Sequence, residues 1–231
     1  MAHMLEERGF ATAVIAAVRA QAEKTRPPRA LFTAAQLGRP LGEPGDPVFQ
    51  RATLLAALAL LERTDGPVIL EDYPGEPPGL ADNPTWTPPF PPAGDAALDG
   101  FAAELARVLP VWEDAKTRFG RTSVGLSFQA AADWPAFAAR VIAGELPTVP
   151  GHGTTALAAR FLCDDIKALY GEVAQAHGPA PSSNQVDAWF WYGTIAGKIL
   201  LALRDAAMAI DNNALKTVGG RFFVPVPWLP K

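Results

Sequence analysis

Proline sets the first limit on what this chain can build. It has 23 prolines in 231 residues, about twice the usual share. Proline lacks an amide hydrogen and holds φ fixed, so it ends helices, opens them, or keeps a strand at a sheet edge. Eight prolines fall within residues 74–94, where no helical or strand period runs. That stretch reads as a proline-rich arm or linker. Trp86 and Phe90 punctuate it, which favours an arm lying on a surface. A second subunit's surface would serve, giving a homo-oligomer formed through the arm.

Between prolines, the apolar spacing assigns elements. Phe10, Val14 and Val18 recur at i, i+4 and i+8, so a helix is expected from Glu6 to Lys24. Ala30 to Ala34 is a short apolar strand candidate. A turn-rich loop follows from Leu37 to Asp46. Asp46 suits an N-cap, with Pro47 at the first helical position. The helix from Pro47 to Arg63 carries Leu54, Leu58 and Leu61, and Val68 to Leu70 reads as a buried strand. Strand, helix, strand in this span predicts a βαβ unit with a parallel pair.

Helical spacing resumes at Asp95, with Leu98, Phe101 and Leu105. Thr122 to Phe128 alternates polar and apolar residues, as a half-buried strand does. Asp133 suits the cap of a short helix bearing Trp134, Phe137 and Val141. A helix from Thr155 to Gln175 follows, with Leu162, Ile166, Leu169 and Val173 on its core stripe. Ser182 and Gln185 fit a capping box that opens a last helix running to Ile210. Asn212 or Asn213 suits the left-handed position after it. Phe222, Val224 and Val226 suit a closing edge strand. The expected fold class is α/β: a predominantly helical single domain over 5–231, with a small, partly parallel sheet and two long antiparallel C-terminal helices. Met1-Ala2-His3-Met4 reads as a leader left by cloning, with Met4 the natural start.

Hydrophobic residues are 49% and charged residues 19% of the chain, enough apolar content to exclude disorder. The net charge of −4 shows no basic face, so no nucleic-acid partner is expected. Ala188 to Leu203, the most apolar run, is shorter than a bilayer span and holds Thr194 and Lys198, so no membrane role is expected. The single cysteine, Cys163, and the lack of a secretory opening point to the cytoplasm.

Chemistry concentrates on the last expected helix. Asp187, Trp191, Thr194 and Lys198 stand at i, i+4, i+7 and i+11, along one stripe. Trp189, Phe190 and Tyr192 surround it with aromatic surface. A lysine in the run Ile195-Ala-Gly-Lys-Ile-Leu-Leu-Ala-Leu203 either snorkels or answers a negative partner. One reading makes Lys198 and Asp187 the catalytic candidates, with Trp191, Thr194 and Tyr192 binding a carboxylate- or phosphate-bearing small molecule. A desolvated lysine there would serve as a base or Schiff-base amine. The other reading pairs Lys198 with Asp164 or Asp165 on the neighbouring helix.

Asp164 is a further ligand-binding candidate, and it or Asp165 could act as a general acid or base. Asp164 also stands four residues after Arg160 and three before Lys167, the spacing of helical salt bridges. Gly151-His152-Gly153-Thr154-Thr155 precedes a helix, so His152 and Thr154 are further ligand-binding candidates for an anion. It lacks the ending of a P-loop, and a turn with a threonine cap accounts for it equally. His152 and His177 have no metal-ligand spacing, so no metal is expected. No dinucleotide fingerprint or nucleophile elbow occurs. The aromatic residues offer a flavin or haem a stacking surface, but no fingerprint accompanies them, and no cofactor is expected.

Pro40-Leu-Gly-Glu-Pro-Gly-Asp-Pro47, Gln50 and Leu54 to Leu61 make residues 37–61 resemble short bacterial proteins of the glycine/sarcosine/betaine reductase selenoprotein B-like family. In the reductase subunit a selenocysteine or cysteine carries the redox step. This segment has no counterpart to it, and Cys163 sits elsewhere, mid-helix. The resemblance therefore implies a relative that keeps the scaffold and has lost or changed the chemistry, with no catalytic residue carried over. Two functions stand at this point. One is a small-molecule-binding protein, an enzyme in one version, whose pocket is lined by the last two helices. The alternative is a non-catalytic subunit or scaffold of a homo- or hetero-oligomeric, reductase-related complex.

Overall fold

The computed structural model describes residues 1–35, 40–42, 45–75, 82–94 and 96–229. Parts of the 37–46 loop, the middle of the proline-rich arm and Asp95 lie outside these described residues. The chain is a helix-rich α/β protein. Its contacts divide it into two compact units, residues 1–82 and 83–231. The division falls inside the stretch that the sequence reading keeps as an arm of a single domain.

The first unit runs α1 (Ala2–Glu6), β1 (Val14–Ala16), α2 (Arg19–Thr25), β2 (Arg29–Phe32), α3 (Pro47–Ala59) and β3 (Ile69–Asp72). The strands form a parallel sheet in the order β1-β2-β3, with Ile15 opposite Leu31 and Leu31 opposite Glu71. Asp46 caps α3 by accepting the Phe49 amide at 3.0 Å, with Pro47 opening the helix. α3 lays Ala57 and the following Leu60 on Leu31 and Ile69, making a small closed core. The strand–helix–strand expectation holds here.

The expected helix from Glu6 to Lys24 does not form as one piece. β-branched Thr12, Val14 and Ile15 favour extended backbone, and Val14–Ala16 pairs with β2 as a strand. The Met1–Met4 segment enters α1, where His3 Nε2 reaches the Thr25 carbonyl at 3.2 Å.

The second unit is helical. It comprises α4 (Phe101–Phe119), α5 (Trp134–Ile142), α6 (Thr155–Ala176), α7 (Ser183–Gly193), α8 (Ile195–Ala209) and α9 (Asn213–Val218). α6 is its centre: Leu162, Ile166, Leu169 and Val173 are fully buried, as their spacing predicts. They join Phe101, Leu105, Trp134, Val141, Leu200 and Leu203 in one core. The Ser182–Gln185 capping box is present. Gln185 also accepts the Asn83 amide and donates to the Asn83 carbonyl, each at 2.8 Å. Trp86 is buried in the unit's core, and the Ala93 amide reaches the Gly193 carbonyl at 2.8 Å. The described end of the arm thus lies on α7 of its own chain.

Three further expectations are corrected. The last helix breaks at Thr194 (φ −121°, ψ 153°), which caps α8 by accepting the Gly197 amide at 2.9 Å. Asn212 does not follow a helix end in the left-handed region but opens α9, accepting the Leu215 amide at 3.0 Å. The closing strand is replaced by a π-helical turn over Gly219–Phe223 that buries Phe223. A Cβ on Gly219 would meet the Ala207 Cβ at 2.7 Å, so only glycine lets this turn approach α8.

The predicted strand at Thr122–Phe128 is an irregular loop. Its alternation is inverted, with Ser127 buried while Leu126 and Phe128 are 49% and 68% exposed. Asp165 explains this. Its carboxylate lies fully buried on α6 and must find donors. It accepts the amides of Gly125, Leu126 and Ser127, all at 2.9 Å, and the Ser127 hydroxyl at 2.6 Å. One helical carboxylate replaces a strand partner.

Candidate functional site

The residues expected to form one stripe are separated by the break at Thr194. Lys198 bonds the carbonyls of Gly94 and of Ala96, the latter at 3.2 Å. Its amine thus holds backbone of its own chain, and no carboxylate pairs with it among the described residues. Trp191 is buried with its ring edge-on to Phe190 at 4.8 Å. Tyr192 is 73% exposed and meets the edge of Trp228. Asp187 sits at the surface of α7, where neighbouring chain strips part of its water and raises its pKa. Asp164 bridges Lys167 at 3.1 Å and Arg160 at 3.5 Å, as helical spacing predicts.

Thr194 lines a small cavity with Glu104, Tyr170 and Trp189, but its volume is about 10 Å³. That is room for one water, not a ligand. Glu104 fills the anion's place at this helix start. It accepts the amides of Ile195 at 2.8 Å and Ala196 at 3.0 Å, and the Tyr170 hydroxyl at 2.7 Å. Burial, then the Glu104 charge, pushes the Tyr170 pKa up.

A roomier site lies around the second sequence candidate. Thr154 caps α6, accepting the Leu157 amide at 3.3 Å. His152 is 7% exposed and stacks between Phe128 (centroids 4.7 Å apart) and Phe161 (5.0 Å). Gly151 has φ +94°, and a Cβ there would meet the Phe128 ring at 2.9 Å, so glycine is required on both counts. Phe128 itself holds φ +55°. A non-glycine residue in the left-handed region is strained, and such strain gathers at functional sites.

Phe128 also walls a groove of about 360 Å³, which Gln129, Asp133, Phe137, Arg140 and Thr148 line with it. That volume falls in the range of small-molecule sites. The Arg140 guanidinium reaches Glu145 at 2.6 Å and stays largely exposed. Two buried nitrogens at this corner, Gln129 Nε2 and His152 Nε2, have no hydrogen-bond partner among the described residues. Buried polar atoms are nearly always paired, so an acceptor or donor from outside the protein has an incentive to enter.

Sequence reasoning reached His152 and Thr154 but missed the groove. Phe128, Gln129, Asp133 and Arg140 come from a loop and a short helix with no shared spacing. Glu104 and Asp165 were readable, since each is a carboxylate within an apolar helical stripe. Among the described residues no group of three or more His, Cys, Asp or Glu side chains could hold a metal. No described helix is long and apolar enough to cross a membrane. Compared with known protein families, curated proteins and solved structures, the chain matches none.

Proposed function

We propose that this protein binds a small molecule bearing a carboxylate or phosphate, seated in the groove between Phe128 and Arg140. This moves the ligand from the face of the last two helices, where Lys198 is committed to backbone carbonyls. One observation carries the reading: a groove of ligand size is lined by Gln129, whose buried Nε2 has no partner among the described residues. Arg140 supplies a charge for the anionic group, Phe128 and Phe137 an apolar wall, and Gln129 a donor. The lining contains no activated nucleophile, so the role assigned is binding. A cytoplasmic location fits the one cysteine, whose thiol is buried and pushed up to about 12 by desolvation.

Native mass spectrometry of the purified protein tests this, followed by thermal shift against small carboxylates and phosphates. A ligand at about 100 times its Kd adds about 2.7 kcal/mol of stability and raises Tm by several degrees. Arg140→Ala and Gln129→Ala are expected to remove that shift, and Lys198→Ala to keep it. The reverse pattern would return the site to α8.

A second reading is a non-catalytic subunit or scaffold, related to the reductase family that residues 37–61 resemble. The outer face of α3 and of the 3-10 turn that continues it, inside that segment, supports it: Leu54, Leu55, Leu58 and Leu61 are 44%, 55%, 54% and 36% exposed. Three exposed leucines on α3 and a fourth on the 3-10 turn after it form an apolar patch of the kind that marks an interface.

A further inference from the structure

We propose that α3 pairs with α3 of a second copy, antiparallel, about a two-fold axis. The proposal rests on the scaffold reading and is independent of the groove.

α3 spends only one side on its own unit. Thr53, Ala57 and the following Leu60 are buried, while Arg51, Leu54, Leu55, Leu58, Leu61 and Glu62 are exposed. Arg51, Leu55, Leu58 and Glu62 stand at i, i+4, i+7 and i+11, so they form one stripe with a cation and an anion at its ends. Glu62 rides on the 3-10 turn that continues the helix. Neither Arg51 nor Glu62 has an ion-pair partner among the described residues.

The order Arg–Leu–Leu–Glu selects its own partner. In an antiparallel pair centred between residues 56 and 57, Leu55 of one copy faces Leu58 of the other, and Arg51 faces Glu62. Both charge pairs then form at once, as an isologous interface requires. A parallel pair would set Arg51 against Arg51 and Glu62 against Glu62, which like-charge repulsion opposes. The leucines supply the attraction and the end charges supply the direction. One short helix pair is small for a specific interface, so affinity in the micromolar range is expected.

Sedimentation equilibrium of the full chain from about 1 to about 200 μM reads this out, spanning the Kd expected for such an interface. A reversible monomer–dimer equilibrium is expected. Leu55→Lys and Leu58→Lys are each expected to be monomeric with an unchanged circular dichroism spectrum. Arg51→Glu and Glu62→Arg should each raise the dimer Kd about tenfold at low salt, and the double swap should restore it. Arg140→Ala should dimerise normally, which separates this interface from the groove. A wild-type monomer at the top concentration, a dimer that survives Leu58→Lys, or a double swap that fails to restore affinity would each overturn the proposal.

Discussion

Asp165 shows how much one side chain organises here. Its two oxygens satisfy three backbone amides and a hydroxyl in the 125–127 loop. Asp165→Ala strands those donors, and the expected cost is about 3 kcal/mol or more in urea denaturation, with the helical core retained. Cys163 is the opposite case, a group that chemistry cannot reach. Its thiol is fully buried and its pKa rises from the ordinary 9.0 to about 12. Native protein at pH 8 should resist iodoacetamide, and unfolded protein should react. The sign of the linkage follows. The folded state holds the proton more tightly, so this contribution is complete below pH 9.0 and fades as pH rises toward about 12. Stability measured over that window should fall, and less steeply in Cys163→Ala.

The break at Thr194 is decided among elements. Left alone, Ala188 to Leu203 would favour continuous helix. Here the Thr194 hydroxyl accepts the Gly197 amide, and the Glu104 carboxylate takes the next two free amides of α8. A charge at a helix start stabilises it through both hydrogen bonds and the macrodipole. Thr194→Ala is expected to cost about 1 kcal/mol. Gly197→Ala should cost about 1–3 kcal/mol, because its new Cβ would collide with the Phe190 carbonyl oxygen. Thermal melts check both. The break was partly legible, since Gly193-Thr194 is a stop followed by a cap. Its acid lies 90 residues earlier in the chain, on α4, and no spacing rule joins the two. The 122–128 loop failed for the same reason: alternation reports a period, but a buried carboxylate 38 residues away chose which side faces in. Capping residues and core stripes act within a few residues, and those expectations held at Asp46, Ser182 and along α6.

Across the molecule, residues 83–231 close a core of their own around α6. That segment produced alone is expected to be helical and to melt cooperatively, and a broad, non-cooperative transition would show that it needs the first 82 residues. The pattern from β2 through α3 to β3 was legible because prolines punctuate that stretch, whereas β1 and α2, which cross over to β2, read by their spacing as a single helix. The groove was not, because its walls converge from segments that share no periodicity.

The tether from α6 reaches further than the three amides it holds. Phe128 and Gln129 follow directly on Ser127, so the wall of the groove hangs from the most deeply packed helix in the protein. A ligand gripping that wall would pull against the core itself. Occupancy should therefore slow hydrogen exchange along the turns of α6 facing the loop, well away from any atom the ligand touches, and Asp165→Ala should cut that communication even where some affinity survives.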